Sequence, residues 1–178
     1  MRTLVLGMGN PILCDDAVGI RLARDVRMHF EKASNTIPEA GPDPAHAVDF
    51  IEDCSVGGLN LLDLVMGYDR LVVFDSIRTK GETPGTWYAL TGATFRETMN
   101  LGCVHDANFT TALELGRQMG AHVPSPEDVH IFAVEISDNT TFSESMTPEL
   151  ETAYAAFAPE IMREALALLR SSTSPRSA

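Results

Sequence analysis

The chain has 178 residues and a mass of 19.3 kDa, a size suited to one compact domain. Hydrophobic residues make up 44% and charged residues 21%, a balance that favours a folded globular chain over a disordered one. The formal net charge of −12 disfavours nucleic acid and anionic membrane surfaces as partners, because both repel an acidic protein at long range.

The cysteines and the N-terminus indicate a cytoplasmic protein. Cys14, Cys54 and Cys103 form neither an even disulfide set nor a C-x-x-C pair, which is more typical of a reducing compartment than of a secreted protein. The chain enters an apolar strand directly after its first residues, and no apolar run approaches the length that spans a bilayer. We expect no membrane association. We also expect a monomer, because one apolar helix stripe accounts for the apolar residues.

The first half of the chain alternates apolar runs of strand length with segments of helical spacing. Gly7 and Gly9 end the first strand, and Asp15 or Asp16 suits the N-cap of the helix that follows. The predicted elements, in chain order, are a buried strand over residues 3–6, a helix from Asp16, a proline-rich loop over 33–47, a strand over 48–51, a helix over 59–66 and a buried strand over 70–75.

The second half continues the alternation and ends in a long helix. Its predicted elements are a turn and a strand within "GETPGTWYAL", a helix over 106–119, a strand over 129–136 and a helix that begins after Thr147 and runs to Arg170. Apolar residues recur every three or four positions on the last helix and predict its core-facing stripe: Leu150, Tyr154, Phe157, Ile161, Ala165 and Leu168.

Strands that alternate with helices predict one α/β domain. We expect a three-layer α/β/α arrangement in which helices flank a mostly parallel, twisted sheet of about five strands. The domain is predicted to span residues 1–170, and residues 171–178 are predicted to form a frayed tail. In such a sheet, ligands bind beyond the carboxyl ends of the strands, so residues at those ends are the candidates for a site.

The glycine turn after the first strand does not fit a nucleotide. The third glycine of G-x-G-x-x-G would fall at Ile12, and Pro11 removes a backbone donor from the turn. Asp15 and Asp16 would also repel a phosphate where a P-loop carries Lys and Ser or Thr. From local pattern alone, the pair is interpreted as a helix N-cap with an acidic neighbour.

Three side chains predict a metal site at the carboxyl edge of the sheet. Asp16, Asp75 and His105 would emerge there together, and two carboxylates with one imidazole suit a divalent transition metal. For Cys14 and Cys103, which flank these residues, burial is favoured over metal ligation. The sequence lacks G-x-S-x-G and H-E-x-x-H, the motifs that define many serine hydrolases and zinc peptidases.

Several segments together resemble a known family. "LVLGMGNPILCDDAVG", "DCSVGGLNLLDLVMGYDRLVVFDSI", the PGT of "GETPGTWYAL", His105 with "ALELGRQMG", "VHIFAVEI" and "SESMTPELETAY" follow one another as in the hydrogenase maturation proteases. This family trims the large-subunit precursor of nickel-iron hydrogenases. The resemblance spans nearly the whole chain.

The resemblance implies roles for individual residues. Asp16, Asp75 and His105 are the expected metal ligands, and Asp16 and Asp75 are the expected catalytic carboxylates. The family often has glutamate at the position of Asp16. Nickel is the expected metal, supplied by the precursor, and the implied role of Asp15 is to cap the helix. Supporting roles are predicted for Asp15, Asp53, Gly7, Gly9 and Asn10.

The resemblance also implies the reaction. The chain is expected to be an endopeptidase that removes the C-terminal extension of a hydrogenase large-subunit precursor after nickel insertion. Either the metal takes part in the chemistry, or an aspartate activates water while the metal serves recognition. Two other interpretations stay open at this point: a nickel-dependent module that chaperones the precursor without cleavage, and a metal hydrolase that acts on small molecules.

Overall fold

In a computed structural model of the chain, five strands form one sheet within the described residues 1–35, 47–56, 59–97 and 106–171. The strands are β1 (Arg2–Met8), β2 (Ala47–Cys54), β3 (Arg70–Ile77), β4 (Trp87–Thr91) and β5 (Val129–Glu135). The α-helices are α1 (Val18–Asn35), α2 (Leu59–Val65), α3 (Gly92–Glu97), α4 (Asp106–Gln118) and α5 (Pro148–Arg170). Two short 3₁₀ turns cover Cys14–Ala17 and Pro126–Asp128.

The strand order creates a crevice between β1 and β3. The order is β2-β1-β3-β5-β4, in which β4 alone of these strands runs antiparallel to its neighbour. From β1 the chain moves outward to β2 and then returns across β1 to β3. The winding direction therefore reverses between β1 and β3. In open α/β sheets, such a reversal marks the usual place for a ligand, outside the carboxyl ends of the strands.

Helices cover both faces of the sheet, which confirms the predicted single α/β domain with a mostly parallel sheet. Val5, Val72 and Phe74 point toward α1 and α5 in one buried cluster, while Leu6 and Val73 point toward α2 and α4 in the other. Because alternate residues of each central strand enter opposite cores, the strands are buried on both faces. Among the described residues, no helix is long and apolar enough to cross a membrane.

Gly19 brings the start of α1 against the ends of β1 and β3. A Cβ at Gly19 would collide with the carbonyl of Met8 and lie 2.5 Å from the carbonyl of Phe74. Because glycine has no Cβ, the helix can approach both strands closely. This contact places the turn that precedes α1, including Asp16, over the crevice.

Some element boundaries differ from the sequence-based predictions. The helix α1 begins at Val18 rather than Asp16, because the chain first forms the 3₁₀ turn, where Cys14 has a left-handed φ of 48°. On α5, Leu169 rather than Leu168 is the last residue of the buried stripe, because the final buried positions of this helix are four residues apart. The short helix α3 was not predicted. Most of the predicted loop over 33–47 and of the tail over 171–178 lies outside the described residues.

Candidate functional site

The turn after β1 holds Asp16 by its backbone. Gly9 has a φ of +138°, and a Cβ at this position would collide with the carbonyl of Asp16. The next backbone N–H, that of Asn10, donates a hydrogen bond of 2.8 Å to Asp16 Oδ2. The side chain of Asn10 accepts a bond from the N–H of Ile12 and so stabilises the turn. At Gly7, a Cβ would collide with the carbonyl of Glu52 on β2. The glycines therefore permit close backbone contacts.

Ser76 joins Asp16 to Asp75. Its hydroxyl donates a hydrogen bond of 2.6 Å to Asp16 Oδ1, and its backbone N–H donates one of 2.8 Å to Asp75 Oδ1. Asp16 is 6% exposed and Asp75 is 3% exposed. The structure thus connects two of the three predicted metal ligands through one residue, Ser76, and their role as metal ligands stays a prediction.

A cleft opens beside Asp16. Its volume is about 230 Å³, and it is lined by the turn after β1 and the end of β2: Met8, Gly9, Asn10, Leu13, Asp16, Cys54, Ser55 and Val56. The Ser55 hydroxyl lies 3.1 Å from the carbonyl oxygen of Gly9 and 3.2 Å from Asp53 Oδ1, and so links these two segments. The exposed Asp53 therefore lies next to a residue that lines the cleft, and its supporting role stays a prediction.

Asp15 does not cap a helix, contrary to the prediction. The 3₁₀ turn that contains it has Leu13 at its N-cap and no side-chain cap. The carboxylate of Asp15 is fully buried, and Oδ1 accepts a bond of 2.7 Å from the N–H of Thr147. Its Oδ2 accepts bonds from the N–H groups of Ser137 and Asp138 and from the hydroxyls of Ser137 and Thr147. Long-range partners compete better than the local cap because they surround the buried charge completely.

The two described cysteines are buried thiols. Burial, and then the negative charges of Asp15 and Asp138, raise the pKa of Cys14. Burial also raises the pKa of Cys54, with further contributions from Asp75 and Asp53. Because the thiolate is the form that binds metals, protonated thiols at these positions are poor ligands. Cys103 lies outside the described residues.

The third predicted ligand, His105, also lies outside the described residues. Its neighbour Asp106 is the first residue of α4. The other end of α4 lies near the amino edge of the sheet, where the carbonyl of His122 accepts a bond of 2.8 Å from the N–H of Gly67. The helix therefore leads back from that edge over about 18 Å. Within the described part of the chain, no group of three His, Cys, Asp or Glu side chains could hold a metal.

Sequence reasoning missed two polar residues near the ends of β3 and β5. Ser76 follows Asp75 directly, and its position after a strand-end acid was the available signal. Glu135 ends β5 and is 2% exposed; its Oε2 accepts a bond of 2.8 Å from the N–H of Thr79. Nothing in the strand pattern distinguished this buried acid from a solvated strand-end residue.

Comparison with known proteins adds a family match. The family model described as HycI, hydrogenase maturation protease, matches residues 20–164, a range that includes Asp75 and His105 and begins after Asp16. The chain is 32% identical over 92 residues to the hydrogenase 2 maturation protease of Escherichia coli K12, across 51% of this chain and 47% of that protein. It is 34% identical over 85 residues to the hydrogenase expression/formation protein HupD of Rhizobium leguminosarum bv. viciae, across 48% and 35%.

Solved structures share the fold over nearly the full length. The hydrogenase maturating endopeptidase HybD of E. coli superposes with a TM-score of 0.68 at 26% identity, over 96% of this chain and 93% of that one. The hydrogenase maturation protease HybD of Thermococcus kodakarensis gives 0.65 at 18% identity, over 93% and 99%, and supports the fold alone. The chain spans about half or less of the length of the two curated relatives, but almost all of these structures.

Proposed function

Because this chain belongs to the hydrogenase maturation protease family, we propose that it is an endopeptidase that removes the C-terminal extension from the large-subunit precursor of a nickel-iron hydrogenase. The observation that carries this proposal is the pair of buried carboxylates, Asp16 and Asp75, joined through Ser76 beside an open cleft. Paired carboxylates at the switch point of an α/β sheet suit both cation binding and the activation of water.

Nickel enters this proposal as part of the substrate. Asp16, Asp75 and His105 would contact the nickel of the loaded precursor, since carboxylates and imidazole suit a divalent transition metal. A bound metal ion of this kind can polarise a carbonyl or lower the pKa of a water molecule. Precursors without nickel would then lack the contact that places their tail at the carboxylates. We propose that the reaction takes place in the cytoplasm and that the enzyme acts as a monomer.

The residues of the chain hold the reactive groups in position. The N–H of Asn10 and the hydroxyl of Ser76 each donate to one oxygen of Asp16, so the carboxylate cannot rotate freely. Each carboxylate oxygen has two lone pairs, so both oxygens of Asp16 can still accept a proton or contact a cation. Asp16 or Asp75 would take a proton from the attacking water, while the cleft beside Asp16 would receive the peptide around the scissile bond.

The experiment that tests the reaction is intact-mass spectrometry of a large-subunit precursor after incubation with this protein. The precursor is loaded with nickel in one sample and left empty in the other. We expect the loss of a C-terminal peptide from the loaded sample alone. Stable complex formation without cleavage would instead support a chaperone, and cleavage of small peptides without nickel would support a general metal hydrolase.

Substitution of the proposed ligands tests their roles. We expect Asp16→Asn, Asp75→Asn and His105→Ala each to reduce processing by at least about 100-fold, because each removes a group that contacts the reacting atoms. Asp63→Asn is the matched control, since Asp63 is an exposed acid on α2 away from the cleft. Circular dichroism verifies that each variant folds. Processing by all three variants at the rate of the control would contradict the assignment.

A further inference from the structure

A second cleft lies at the same edge of the sheet, beyond Asp75. Its volume is about 510 Å³, and it is lined by the loop after β3 and by the segment after β5: Arg78, Thr79, Lys80, Gly81, Glu82, Pro84, Ile136 and Ser137. One wall is tied to the turn that carries Asp16, because Ser137 also donates hydrogen bonds to the neighbouring Asp15. Arg78 follows Asp75 by three residues, about 10 Å along extended backbone. This space, named here the basic cleft, therefore adjoins the proposed reaction site.

The basic cleft contains two cations that have no acidic partner among the described residues. Arg78 and Lys80 are exposed, and within the same ranges Arg78 reaches only the amide oxygen of Asn139, at 3.5 Å. In the described part of the chain neither side chain forms an ion pair, whereas five other arginines do: Arg2, Arg21, Arg24, Arg27 and Arg117. In a protein with a net charge of −12, two neighbouring exposed cations that form no ion pair with a described residue are an attractive site for an anion.

Glu82 is the acid that lines the basic cleft, and it lies beside Tyr88. Burial, and then the negative charges of Glu82 and Glu135, raise the pKa of Tyr88, so the Glu82 carboxylate lies close to the Tyr88 hydroxyl. The carboxylate of Asp138, across the cleft from the loop, accepts bonds from the N–H groups of Thr140 and Thr141. Neither acid forms an ion pair with Arg78 or Lys80 in the described residues, so the cations keep their charge available.

Glu135 holds the loop that carries these cations. Its Oε2 accepts a hydrogen bond of 2.8 Å from the N–H of Thr79, between Arg78 and Lys80. Its backbone carbonyl accepts from the N–H of Gly85, and its own N–H donates to the carbonyl of Thr86, both at 2.8 Å. The buried Glu135 thus fixes the loop at both ends. A fixed loop binds a ligand with less loss of conformational entropy than a free one.

We infer that the basic cleft binds a carboxylate of the precursor, carried by its chain about three to five residues from the scissile bond. The spacing follows from the distance between Asp75 and Arg78 and the reach of the two side chains, at about 3.3 Å per residue of extended peptide. An arginine fork and a lysine ammonium both donate charge-assisted hydrogen bonds to carboxylates. This inference rests on the proposed function and adds a feature of the substrate: an acidic group near the cleavage point.

The test compares two double variants in the processing assay with nickel-loaded precursor. Arg78→Gln/Lys80→Gln removes two positive charges from the basic cleft, and Arg163→Gln/Arg170→Gln removes two exposed positive charges from α5. We expect the cleft variant to raise KM roughly three- to tenfold at unchanged kcat, since exposed ion pairs contribute modestly to binding. The α5 variant should match the wild type. Equal KM values for both double variants would overturn the inference.

Altered precursors identify the source of the carboxylate. Replacing the Asp and Glu residues near the scissile bond by Asn and Gln should raise KM for the wild type but not for the cleft variant if the group is a side chain. Three glycines added to the C-terminus of the precursor move its terminal carboxylate by about 10 Å. If the basic cleft binds the terminus, this addition should raise KM for the wild type but not for the cleft variant. No change with either precursor overturns the inference. A wild type that cleaves no loaded precursor overturns the proposed function and this inference with it.

Discussion

At the scale of single residues, the adjacent aspartates have separate roles. Asp15 points into the protein, where its carboxylate accepts bonds from Ser137, Asp138 and Thr147. Asp16 points to the crevice and meets Ser76 and the cleft. The sequence predicted a site role for Asp16 from its place after a strand and turn. It could not predict the partners of Asp15, because these lie more than 120 residues away in the chain.

Matched amide substitutions at these two positions should differ in their effects on stability and on processing. In Asp15→Asn, either orientation of the amide points its NH₂ group at a backbone N–H, which cannot accept, so we expect a loss of about 3 kcal/mol in unfolding free energy. In Asp16→Asn, the NH₂ group can face the Ser76 hydroxyl, which can accept, so we expect a loss of about 1 kcal/mol together with the loss of processing. Urea denaturation measures both. Equal destabilisation would contradict the division of roles.

At the scale of elements, the sheet and its helices follow from local pattern. Buried apolar runs predicted β1, β3 and β5, and the spacing on α5 predicted its buried face. The 3₁₀ turn before α1 was not predictable, because it depends on a left-handed Cys14 whose N–H donates to the distant carbonyl of Ser143. The contribution of α4 to the site rests on His105, which lies outside the described residues and stays a prediction.

Close packing of α1 on the sheet is testable with two helical glycines. We expect Gly19→Ala to reduce the unfolding free energy by about 3 kcal/mol, because the new methyl group meets the rigid carbonyls of Met8 and Phe74. The control is Gly116→Ala on α4, where the methyl group would meet the side chain of Leu62, which can move. That variant should change stability by less than about 1 kcal/mol. A Gly19→Ala protein as stable as the control would refute the packing argument.

At the scale of the whole molecule, we expect one partly buried histidine to make the stability depend on pH. The Nε2 atom of His130 on β5 is buried and has no hydrogen-bond partner among the described residues. Burial, and then the positive charge of Arg70, lower the pKa of His130, and Asp128 opposes this effect. The folded protein therefore resists protonation of this ring, whereas the unfolded chain takes up a proton near the ordinary pKa of 6.5.

The sign of this effect gives a prediction for the whole fold. As pH falls through 6.5 toward the lower pKa of folded His130, the unfolded state binds more protons than the folded state, so the unfolding free energy decreases. We expect this decrease between pH 7.5 and 5.5 to be smaller in His130→Gln than in the wild type. His29→Gln, a change at an exposed position on α1, should keep the wild-type decrease. Denaturation curves at both pH values measure it, and identical decreases in all three proteins would disprove it.

The long-range bonds of Asp15 also set the time at which the site can form during synthesis. A ribosome makes this chain from its N-terminus, so Asp16 and Asp75 emerge early. The buried carboxylate of Asp15, however, acquires its partners only after residues 137–147 have left the exit tunnel. Until then, the turn that carries Asp16 lacks its anchor. A nascent chain therefore has no finished candidate site, and the domain reaches its final structure only once nearly all of it has been translated.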